Sequence, residues 1–197
     1  DVCSSDLPGS TFKLLGALIA QNDGLIDRKT VFPCHGGYPP LKGKPKCHGH
    51  GPVDLPGSVA QSCNSYYCYV FKTIVDQKRF HSTAEGFQYW SQMVKSFGLG
   101  TYLGTDLPYD KPGIVRSIAF YDKIFEKNSW RAISSVSLGI GQAELLLVPL
   151  QMANIICIIA NRGYYFTPHV VKGVGEPNRL DARFKQKHWA GVTDTNI

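Results

Sequence analysis

Apolar spacing predicts one domain, or a large piece of one, built mostly of helices with a little strand. Three observations carry that expectation. Residues 10–20, 62–75, 83–97 and 142–161 repeat apolar side chains at helical spacing. Residues 164–174, "YYFTPHVVKGV", read as strand, with a proline at the edge. A length of 197 residues with 43% apolar and 18% charged residues suits one packed core.

Residues 1–7, "DVCSSDL", read like a translated sequencing-library adapter and are set aside with Cys3. Leu14, Leu15, Leu18 and Ile19 then predict a helix over 10–20. Ser10 in "PGSTFK" reads on its own as that helix's N-cap. Residues 21–57 are rich in Gly, Pro, Cys and His and read as one long loop, a kind that is usually functional or tied down. Helices follow at 62–75 and 83–97, the second ended by Gly98. Residues 101–112 are turn-rich, and 114–126 mix extended and helical pieces. The helix over 142–161 is buried and stopped by Gly163, with Cys157 as a buried thiol. Beyond Gly175 the pattern fades.

The net charge of +6 is scattered, and its densest patch, 42–46, is interrupted by Gly and Pro, so no nucleic-acid site is expected. No run reaches the roughly 18 apolar residues a membrane span needs. The longest, 145–160, is broken by Pro149, Gln151 and Asn154.

Ser10 and Lys13 stand one helical turn apart and can share a face. A serine becomes a nucleophile when a neighbouring base takes its proton, and a lysine serves as that base once burial lowers its pKa. Phe12, Leu14 and Leu15 supply an apolar flank. Downstream, Ser62 and Asn64 in "SCN" open another helix. S-x-x-K followed by an S-x-N triplet belongs to the signature of penicillin-binding proteins and serine β-lactamases.

"PGSTFK", "SCNSYYCYVF", and "SLGIGQAELLLVPLQMANIICIIANRG" followed by "TPHVV" together resemble the transpeptidase domain of class B penicillin-binding proteins of the cell-elongation type. The resemblance implies an α/β fold, an antiparallel sheet between helices with an all-helical subdomain, of which residues 8–197 would be a part. The third family motif, K-T-G on a strand, is absent and is expected beyond Ile197. It implies Ser10 as the acylated nucleophile, Lys13 as its base, Ser62 as a proton relay, and Asn64 as a partner of Lys13 and the substrate amide. The substrate would be the D-Ala–D-Ala end of a peptidoglycan stem peptide, with β-lactams acylating the same serine. A membrane glycosyltransferase would be a partner, and an N-terminal anchor outside this chain would hold the protein at the periplasmic face of the inner membrane. A serine β-lactamase or carboxypeptidase, or a β-lactam sensor that does not turn over, are the alternatives. Ala143 and Val148 stand where the family more often has Gly and Thr, changes expected to be tolerated.

Cys34, Cys47, His50 and Cys63 are spaced C-x12-C-x2-H-x12-C. Three thiolates and an imidazole suit a closed tetrahedral zinc site. Disulfides, with Cys68 as a fourth cysteine, are the rival in an oxidising compartment. His48 is the substitute for His50, and His35 is expected to face solvent. The family resemblance adds that some elongation-type members carry zinc beside this motif, with the triplet's middle residue as a ligand.

Overall fold

The computed structural model describes residues 5–125, 131–175 and 179–193, apart from the Ser134 side chain. The sequence segment 1–7 therefore lies partly outside the described residues, and Asp6 within it pairs with Leu147 through two backbone hydrogen bonds.

A 3-10 turn, Gly9–Phe12, leads into α1, Lys13–Asn22. Seven residues of α1, from Lys13 to Ala20, are buried, so this helix runs through the middle of the core rather than along its edge. Ser10 is not a cap: it lies inside the turn and is exposed, while the residue before α1, Phe12, offers no side-chain cap. The long loop expected over 21–57 yields its end to α2, Leu55–Ala60. Asp54 caps that helix by accepting from the Gly57 N–H at 2.8 Å, with Pro56 in the first turn. The loop is ordered by rings: Phe32 stacks on Tyr69 and meets Tyr66 edge-on, and Tyr38 meets Tyr69 edge-on.

Helix α3, Asn64–Val75, packs along α1 and against α4, Thr83–Ser96. Trp90 of α4 is buried among Phe12, Phe71 and Phe87, which joins the turn before α1 to α3 and α4. Such ring pairs add about 1 kcal/mol each to their burial. Ser82 caps α4 through the Glu85 N–H. Within 114–126, α5 covers Ile118–Phe125, and Glu126 lies outside the described residues.

A 3-10 stretch, Ala132–Ile140, lies across α3 and ends at Gly141. The helix expected over 142–161 begins only at Pro149 and runs to Ala160 as α6, because proline sets its first turn. Val148 takes half of a capping box: its N–H donates to Gln151 Oε1 at 3.0 Å, but valine has no oxygen to return. Gln151 also shares its amide hydrogens among the carbonyls of Gly98, Thr101 and Pro112. Cys157 is exposed, not buried, since α6 packs through Gln151, Asn154, Ile155 and Ile158. The strand expected over 164–174 is three residues long, β1 (Tyr164–Phe166), and stops before Pro168. It pairs antiparallel with β2, Lys187–Trp189, in a region that showed no pattern in sequence, in register Tyr165 opposite His188. No helix among the described residues is long and apolar enough to cross a membrane.

Candidate active site

The site is assembled where the turn before α1 meets the turn before α3. Lys13 is 3% exposed, held there by its place on the first turn of a core helix. Its Nζ donates to the Ser62 carbonyl at 2.6 Å and to Ser62 Oγ at 2.9 Å, and sits 5.7 Å from the centre of the Tyr67 ring. Burial pushes the Lys13 pKa below 10.5, with nearby Cys47, Cys63 and Cys68 opposing the shift. Cys68 itself is pushed up to about 12 by burial, so it stays a neutral thiol near Lys13.

Ser62 is left-handed, φ +49°, a conformation that costs a serine about 1 kcal/mol or more. That geometry turns both of its oxygens toward Lys13. The N-cap of α3 is not Ser62 but Cys63, whose Sγ accepts from the Tyr66 N–H at 3.3 Å. Asn64 does not reach Lys13: its amide donates to the Lys46 carbonyl at 2.8 Å.

Ser10, Lys13, Ser62 and Tyr67 line one cavity of about 210 Å³. Ser10 and Ser62 also line a second, of about 340 Å³, together with Asn64, Lys46, Cys47 and His48. The two serines thus stand between a pocket over the lysine and an open groove beside the loop. Two features invisible in the motifs complete the frame. Tyr67, hydrogen-bonded to Ser58 at 3.3 Å, forms a wall. Gly141 accepts from the Gly9 N–H at 2.9 Å and so seats the Ser10 turn. The glycines of "GIGQ" were its only sequence signal.

Cys34, Cys47, His50 and Cys63 place their ligand atoms within 4.8 Å of one another. Cys47 Sγ lies 3.6 Å from His50 Nε2 and 3.9 Å from Cys63 Sγ. Ligands around a tetrahedral zinc are separated by about 3.4–3.8 Å, so the donor set and its spacing fit that ion. His50 enters the cluster, whereas His48 lines the groove and His35 is exposed. The cysteines of the described residues are free thiols in the structure. Burial opposes ionisation of Cys47, but hydrogen bonds from Cys34, the Ser65 and Asn64 N–H groups and His50 bring its pKa to about 6. Burial pushes Cys63 up to about 12. A cation is what would let the buried thiols of the cluster ionise together.

A serine on an exposed turn, with a buried lysine one turn later and a second hydroxyl closing over it, suits acyl transfer through serine. Residues 1–194 match the penicillin binding protein transpeptidase domain, and the chain belongs to that family. Among curated relatives, the peptidoglycan D,D-transpeptidase MrdA of Acinetobacter baumannii is 29% identical over 171 residues, 84% of this chain and 24% of that protein. The chain therefore spans about a quarter of the length of such relatives. Among solved structures, Pseudomonas aeruginosa PBP2 in complex with WCK 5153 superposes with a TM-score of 0.75 at 22% identity, covering 98% of this chain and 42% of that one. PBP2 of Helicobacter pylori in its complex with MreC gives 0.67 at 24% identity, over 90% and 31%. These likenesses establish the transpeptidase fold.

Proposed function

We propose that this chain carries the catalytic serine, lysine and S-x-N turn of a peptidoglycan D,D-transpeptidase of the penicillin-binding protein 2 type. One observation carries the reading: a buried lysine that gives two hydrogen bonds to Ser62, with Ser10 on the same cavity wall. A neutral amine has two N–H bonds. Ser62 takes both, which leaves the nitrogen lone pair to accept the Ser10 proton.

Ser10 Oγ attacks the carbonyl of the D-Ala–D-Ala amide while its proton passes to Lys13 Nζ. The Ser10 N–H supplies half of the oxyanion hole, a donor of a kind that contributes about 3 kcal/mol. As the C–N bond breaks, the proton travels from Lys13 through Ser62 Oγ to the departing D-Ala amine. An acceptor amine from a second stem peptide then attacks the Ser10 ester, giving up its proton by the reverse route and restoring the hydroxyl. β-Lactams stop at the ester.

Cys34, Cys47, His50 and Cys63 would hold a structural zinc. It would supply a cross-link tying the loop to the first turn of α3, which fixes Ser62 against Lys13. Action at the periplasmic face of the inner membrane, beside a glycosyltransferase of the elongation machinery, is the setting this reading implies; the MreC complex of the Helicobacter pylori relative is in keeping with it.

The test is covalent labelling of the intact gene product with fluorescent penicillin. Labelling should occur in the wild type, vanish in Ser10→Ala and fall at least a thousandfold in Lys13→Ala. Undiminished labelling of Ser10→Ala overturns the proposal.

A further inference from the structure

The groove beside Ser10 has a chemical bias that the catalytic roles leave unused. From Arg28 to Val53 the chain contains no Asp or Glu, but has Arg28, Lys29, Lys42, Lys44 and Lys46. The flanking acids are occupied locally: Asp27 accepts from Thr30 and the Lys29 N–H, and Asp54 caps α2. No carboxylate lines either cavity at the serines.

Of these cations, Lys46 is the one delivered to the groove, and its backbone is held from three sides. It bridges Gly37 antiparallel, its carbonyl accepts from Asn64, and its neighbour Cys47 donates its N–H to Gly36 at 2.9 Å. Side-chain freedom is then the main entropy left to lose on binding a partner. The rest of the groove is lined by the uncharged hydrogen-bonding groups Ser10, Ser62 and Asn64 together with Cys47, a member of the thiol cluster, and His48. A neutral peptide would need no such cation.

We infer that Lys46 forms a subsite for a carboxylate carried by the acyl donor outside its reacting end, so that the loop selects anionic stem peptides. The inference rests on the transpeptidase reading and names a specificity residue for it.

The test compares acylation of the intact gene product by benzylpenicillin and by carbenicillin, which differ by one side-chain carboxylate. The readout is the ratio of the two second-order rate constants, carbenicillin over benzylpenicillin. Lys46→Ala should lower that ratio about fivefold, the weight of one partly solvated ion pair, and Lys46→Glu should lower it further. Lys46→Arg should hold it near the wild-type value, and raised salt should shrink the wild-type preference. An unchanged ratio in both Lys46→Ala and Lys46→Glu overturns the subsite while leaving the transpeptidase intact. An equal fall of both rate constants in Lys46→Ala and Lys46→Arg also overturns it, since the residue would then act on the loop alone. Failure of the wild type to react with either compound removes the transpeptidase reading and the subsite with it.

Discussion

Gly141→Ala should disable the nucleophile without touching it. At φ +70° an alanine costs about 1 kcal/mol more than glycine. Its Cβ would also lie 2.2 Å from the Gly9 carbonyl oxygen and 2.8 Å from both Gly9 N and Phe12 Cβ. Backbone cannot yield as a flexible side chain does, so the Ser10 turn must move by about 1 Å to restore van der Waals contact. The Gly9–Gly141 hydrogen bond, worth about 1 kcal/mol, is lost on the way. Together these lower stability by about 2–3 kcal/mol, roughly 5–10 °C in the melting temperature of a domain this size. A 1 Å misplacement of a reacting group costs about a hundredfold in rate. The matched control is Gly24→Ala, which has a similar φ of +67° but nothing within 4 Å of the new Cβ. It should lose about 1 kcal/mol and keep the acylation rate. Second-order acylation by fluorescent penicillin, measured well below both melting points, separates the two. If Gly141→Ala reacts within threefold of Gly24→Ala, the seating argument is wrong.

Val148→Thr should raise the melting temperature by a few degrees. The hydroxyl gives α6 the missing cap oxygen for the Gln151 N–H, worth about 1 kcal/mol; a lower melting point in calorimetry would count against it. Lys13 predicts a pH dependence. Its folded pKa lies below 10.5, so the free amine grows as pH rises through that value, and acylation should climb along a limb below pH 10.5 that Lys13→Arg lacks. Between the folded value and 10.5 the unfolded chain binds more protons, so stability should rise with pH there; a falling melting temperature over that limb would contradict the assignment. Cys47→Ala should reduce bound zinc to a small fraction per chain and slow acylation about tenfold or more, since Ser62 adjoins the cluster through Cys63. His48→Ala should retain the metal. Metal analysis finding no zinc in the wild type would remove the site.

Much of this site was legible because its parts are local or carried by residue types with few alternative uses. A serine and lysine one turn apart, an S-x-N triplet, and four soft ligands at regular spacing each announce their chemistry in a few letters. Helical periods placed α3 and α4 within two residues and α1 within three, its first turn being 3-10. Signals failed where long-range contacts overrode them. Ser10 has the residue type of a cap, yet packing places it inside a turn, exposed beside the groove. Cys157 sits among apolar residues, but only one face of α6 meets the core. β2 had no pattern because three residues pairing with one short strand are too few to show a period.

Local chemistry thus determined which side chains are candidates for nucleophile, base and metal ligand, because those are properties of residue type and near spacing. Tertiary structure decided how they meet: that Lys13 gives its hydrogens to Ser62 and not to Asn64, that His50 and not His48 joins the thiols, and that Gly141 holds the serine's turn. Those choices depend on distances between segments up to 132 positions apart in the chain, Gly9 to Gly141, which only packing can set.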